Sequence, residues 1–111
     1  MGAAEVIKLP RKPPRPGDLM KLVRGLAEAG AVSFSEHADQ RGLERGIDVP
    51  DTLRVLKNGM IKGEIVPGEN PGEWKCKVVA EAEESSRWIG VVVVVIGNRR
   101  LFVLTVEWED K

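Results

Sequence analysis

The chain has 111 residues, 42% of them apolar, which is enough for one domain with a modest core and too little for a second. Its 17 acidic and 17 basic residues cancel, so the overall basicity of many nucleic-acid binders is missing, and its single cysteine excludes an internal disulfide and a cysteine-only metal site. No apolar run approaches the roughly 18 residues of a membrane span, no signal peptide is expected, and a reducing cytoplasm is the natural setting.

The charge is unevenly spread. Up to Lys62 there are 11 Lys and Arg against 8 Asp and Glu, and beyond it 6 against 9, so the halves carry +3 and −3. A small anionic ligand on the first half and ordinary solvated surface both account for this.

Residues 1–17 include Lys8-Leu-Pro-Arg-Lys-Pro-Pro-Arg-Pro16, whose four prolines and four cations suit neither helix nor strand. This segment is expected to be an extended arm ahead of a single domain over 18–111. A solvated tail, an arm touching RNA or a partner, and a proline-motif ligand all fit its composition.

The spacing of Leu19, Leu22, Val23 and Leu26 predicts an amphipathic helix over 18–29, capped by Asp18 and stopped by Gly30. A second helix is predicted from a Ser35 cap to about Gly46. A third begins at Asp48, tolerates Pro50 in its first turn, lets Asp51 reach back to the cap, turns Leu53 and Leu56 inward, and ends at Asn58-Gly59.

From Met60 the period becomes two. Strands are predicted over 60–66, 74–83, 88–96 and 99–108, joined by the turn-rich 67–72, by Ser85-Ser86 and by Gly97-Asn98. Two-residue turns would set Val95, Val93, Val91 and Ile89 opposite Arg100, Phe102, Leu104 and Val106, and Ala82, Ala80, Val78 and Cys76 opposite Ile89, Val91, Val93 and Val95. Phe102 and Leu104 would then be core. Gly90 would face Thr105, leaving room beside a hydroxyl or marking a bulge. The other face is mixed, with more aliphatics than a solvated sheet needs, and invites a partner or a second copy. The expected architecture is α+β, with three N-terminal helices on one face of an antiparallel four-stranded meander.

The chemistry concentrates on the second helix. His37, the only histidine, is followed by arginines at four and eight residues, so in a helix His37, Arg41 and Arg45 lie within about 80° on one face. Two guanidiniums cannot enter a core unpaired, yet they suit a phosphate held beside a proton-transfer group. The same residues also suit structure alone, with His37 as a hydrogen-bond partner near a helix start and the arginines paired to Glu44, Asp48 or Asp39. No phosphate loop, nucleophile elbow, zinc spacing or dinucleotide fingerprint occurs, and no cofactor or metal is expected.

Phe34-Ser-x-His-Ala-x-x-Arg-x-x-x-Arg-Gly-Ile47, then Leu56-x-Asn-Gly-x-Ile61 and the late Leu104-Thr-Val106, resembles a small bacterial and phage family known as a domain of unknown function, over roughly 32–108. That family is allied to the RelE and MqsR type ribonuclease toxins. The resemblance implies a RelE-like fold and metal-independent endoribonuclease activity as the toxin of a toxin–antitoxin pair, with RNA as substrate and a protein antitoxin as partner. It carries over His37, Arg41, Arg45 with Gly46, and Thr105 as site residues. RNA cleavage needs a second proton carrier beside His37; Glu44 lies off the stripe and Thr105 is too weak an acid, so none is identified. The rival reading is a non-catalytic module of the same fold that binds a protein or dimerises through the mixed sheet face.

Overall fold

The computed structural model describes residues 12–109, so most of the expected arm lies outside the described residues; 12–15 form neither helix nor strand. Helix α1 (Pro16–Glu28) begins at a proline, whose fixed φ suits the first helical position, and its Arg15 N-cap has no side-chain cap. Asp18 sits in the first turn instead of capping it, which moves the start two residues ahead of the expected one. Leu19, Met20, Val23, Leu26 and Ala27 form its buried face.

Strand β1 (Val32–Phe34) follows and pairs in parallel with the last strand, Val32 opposite Leu101 and Phe34 opposite Val103. The sheet therefore has five strands, and the expectation of four is corrected. Three residues are too few to display a period of two, and the partner lies at the far end of the chain.

Helix α2 (Glu36–Arg45) is capped by Ser35, whose Oγ accepts from Ala38 N at 2.9 Å, and it closes on Gly46 at φ +70°. Helix α3 (Val49–Asn58) opens with a reciprocal capping box between Asp48 and Asp51 and buries Thr52, Val55 and Leu56. Strands β2 (Met60–Pro67), β3 (Glu73–Glu81), β4 (Trp88–Ile96) and β5 (Arg100–Trp108) complete a sheet of order β1-β5-β4-β3-β2.

Both hairpin registers differ from the two-residue-turn expectation. β3 and β4 are joined by the longer turn 82–87, so Ala80 faces Ile89 and Cys76 faces Val93, a shift of two residues that keeps the same face inward. The β4–β5 turn takes in Gly97, Asn98 and Arg99, with Arg99 N donating to Ile96 O at 3.0 Å, and pairs Ile96 with Arg100. That single extra residue reverses the faces of β5: Leu101 and Val103 are buried, and Phe102 and Leu104 stay half-exposed on the other side. A bulge at Leu104 then restores the even positions, so Val103 faces Val93, Thr105 faces Val92, and Val106 points inward again opposite Val91.

The bulge is thus in β5, not at Gly90. Gly90 faces Glu107, and the space above it is filled: a Cβ there would lie 2.5 Å from the Glu109 carboxylate. The core joins α1, α3 and the inward residues Cys76, Val78, Ile89, Val91, Val93, Val95, Leu101, Val103 and Val106.

Candidate functional site on helix α2

Helix α2 is fastened to β5 at both ends. At its start, Ser35 N donates to Val103 O at 3.0 Å and Ser35 Oγ to Leu104 O at 3.1 Å. At its end, Arg45 Nη1 donates to Val106 O at 2.7 Å, and the Trp108 indole N–H donates to Arg45 O at 2.8 Å. The β5 bulge makes this possible, because it presents the Leu104 and Val106 carbonyls toward the helix. Between the two anchors the helix buries Ala38 and Gly42; a Cβ at Gly42 would come within 2.7 Å of Ile47 O, so only glycine allows the chain to turn this tightly into α3.

One flank of that buried stripe carries His37, Arg41 and Arg45. His37 is exposed, and its Nε2 accepts a long 3.4 Å hydrogen bond from Arg41 Nε. Arg41 Nη1 also reaches Glu44 Oε1 at 2.7 Å, and Gln40 donates to the other Glu44 oxygen at 3.0 Å. The Arg41 hydrogen bond first, and the Gln40 one second, hold the Glu44 carboxyl below its ordinary range. Glu44 is therefore a counter-ion at neutral pH and has no proton to give.

The structure thus brings His37 and Arg41 into direct contact on an accessible surface. Arg45 keeps its place on the helix but directs its guanidinium to a strand carbonyl. Thr105 lies half-exposed between the two β5 anchor points, paired with Val92 on the sheet face away from the buried Val91 and Val93. Among the described residues no hydrogen bond joins it to His37, Arg41 or Arg45. Among the same residues no cluster of three His, Cys, Asp or Glu side chains is arranged to hold a metal ion.

The other flank of α2 carries a feature that helical spacing of charges does not reveal. A groove of about 580 Å³ runs between α2 and α3, floored by Phe34, Ala38, Gly42, Ile47 and Val106. Its lip is Leu43, which is 86% exposed. Its signal in the sequence is a lone leucine between Arg41 and Arg45, in an otherwise polar stretch of the helix.

The model of a family described as a domain of unknown function, DUF4258, matches residues 34–108. The chain belongs to that family. The DUF4258 match begins at the last residue of β1 and ends with β5, enclosing α2, its two β5 anchors, α3 and the four-stranded meander, and leaving α1 outside. No curated protein and no solved structure matches the chain. No helix among the described residues is long and apolar enough to cross a membrane.

Proposed function

We propose that this DUF4258 chain is a small metal-independent endoribonuclease-like domain whose working surface is the exposed flank of α2, acting as the toxin of a toxin–antitoxin pair. The observation that carries the reading is the contact between the His37 ring and the Arg41 guanidinium on a helix fixed at both ends to the sheet. Once a substrate phosphate draws Arg41 off its long 3.4 Å bond to His37 Nε2, that lone pair is free to remove the RNA 2′-hydroxyl proton while Arg41 holds the non-bridging oxygens of the adjacent phosphate. The 2′-oxygen then attacks phosphorus, the bond to the 5′-oxygen breaks, and that oxygen takes its proton from water. The products are a 2′,3′-cyclic phosphate and a 5′-hydroxyl end. Arg45 acts as a positioning residue in this scheme, holding the helix to Val106. The kinship to RelE and MqsR type ribonucleases, the RNA substrate and the antitoxin partner rest on the resemblance of the His37 to Ile47 motif.

The test is induced expression of the wild type and of His37→Ala in one host. Growth arrest with RNA breakdown in the first and neither in the second is the expected result; equal growth in both removes the proposal.

A second reading has its own support. Val92, Val94, Ile96, Phe102 and Leu104 are half-exposed on the uncovered sheet face, a surface that suits a non-catalytic module dimerising there or binding a partner. Sedimentation of Phe102→Lys against the wild type tests the dimer, since a sheet-face dimer dissociates, and the His37→Ala comparison tests catalysis separately.

A further inference from the structure

The geometry points to the α2–α3 groove as a docking site for a peptide segment of a partner protein that places a large apolar side chain next to a lysine or arginine. The floor is apolar, and the lip residues Leu43 and Val49 are 86% and 47% exposed, a placement that costs solvation unless something covers them. The groove holds a few side chains, the scale of a peptide anchor.

Charge selects the occupant. Asp39 and Asp48 line the mouth of the groove, and the exposed Asp39 carboxylate makes no hydrogen bond or ion pair among the described residues. The C-terminal end of α2, at Gly46, opens on the same groove and adds the negative end of a helix dipole. The N-terminus of α3 adds no compensating positive field, because Asp48 and Asp51 close it as a capping box. A second copy docking face to face would set Asp39 against Asp39. A basic-flanked apolar anchor instead meets both the floor and the carboxylates.

Around α2, Leu43 and Asp39 lie on one side of the buried Ala38 and Gly42 stripe, and His37 and Arg41 on the other. A segment in the groove therefore leaves the His37 flank open, and the two surfaces are testable separately.

The experiment uses the full chain and short synthetic peptides in which Leu, Ile or Phe is flanked by Lys, by Ala or by Glu, read by fluorescence anisotropy. Peptides flanked by Lys should bind best, and Leu43→Ser should weaken them about tenfold. Asp39→Asn should weaken only the Lys-flanked set, and added salt should erase that difference. Leu43 is so exposed that its variant keeps the wild-type melting temperature, which is measured alongside. No binding by any peptide, equal binding by the Glu-flanked set, or a dimer that Leu43→Ser dissociates would each overturn the proposal. RNA cleavage plays no part in this readout, so the two proposals fail independently.

Discussion

Arg45 and Trp108 hold each other in place: the Arg45 guanidinium bonds the Val106 carbonyl two residues before Trp108, and the Trp108 indole N–H bonds the Arg45 carbonyl at 2.8 Å. That carbonyl belongs to the last turn of α2, where the helix itself offers no donor. The Arg87 guanidinium, 4.0 Å above the Trp108 ring, covers the outer side of the pair.

Replacing Trp108 by Phe keeps an aromatic ring and deletes the pyrrole half with its N–H. The half-buried Arg45 carbonyl is left without its partner, and the expected loss is about 1 to 2 kcal/mol in urea unfolding. An unchanged midpoint would mean that the end of α2 is not secured by this bond.

The β4–β5 register is tested by a pair of truncations. Leu101 is fully buried and Leu104 half-exposed at the bulge, so Leu101→Ala should cost about 2 to 5 kcal/mol as a core cavity and Leu104→Ala clearly less. The reverse order would restore the register that two-residue turns imply.

That pair also marks how far the sequence could be read. The inward set of β3 was legible because Cys76 and Val78 alternate with Lys75 and Lys77, and β4, continuously apolar from Val91 to Ile96, takes its faces from pairing with β3, which survives a shift of two residues. The faces of β5 were not. One added turn residue at Arg99 and one bulge at Leu104 each reverse the alternation, and an aliphatic run such as Leu101-Phe-Val-Leu104 has no polar residue to show which side faces water. β1 escaped notice for its length and its distant partner. On the site, the Ser35 cap, the His37 to Arg41 spacing and the Gly46 stop were local and legible. The bond that engages Arg45 spans 61 residues, and sequence spacing has no hold on it.

Glu109 lies between Lys62 at 3.1 Å and Lys77 at 2.9 Å, across the open face of the sheet. Burial opposes its ionisation, but the Lys77 and Lys62 hydrogen bonds outweigh it and bring the carboxyl below its ordinary 4.5. A group lowered on folding stabilises above its unfolded value and loses that contribution as pH falls through the folded one. For Lys77 the Glu109 hydrogen bond outweighs burial and raises the ammonium above its ordinary 10.5, so its contribution is present below the unfolded value and lost as pH rises through the folded one. The denaturation midpoints of wild type and Glu109→Gln should therefore differ most around neutral pH and draw together as the pH falls below 4.5 and as it rises above 10.5. A pH-independent gap would contradict the lysine clasp.

Cys76 is buried against β4, and burial pushes its thiol up to about 11. In the folded chain it should resist maleimide labelling at neutral pH and react at once in denaturant. Rapid labelling of the native protein would mean that the β3–β4 pair opens readily.

Purified chain incubated with end-labelled RNA tests most directly whether His37 and Arg41 act as the proposed phosphate-cleaving pair. Wild type should produce fragments ending in 2′,3′-cyclic phosphate, while His37→Ala and Arg41→Ala, both folded by circular dichroism, should produce none above background. Full cleavage by folded Arg41→Ala, where the wild type cleaves, would contradict the account.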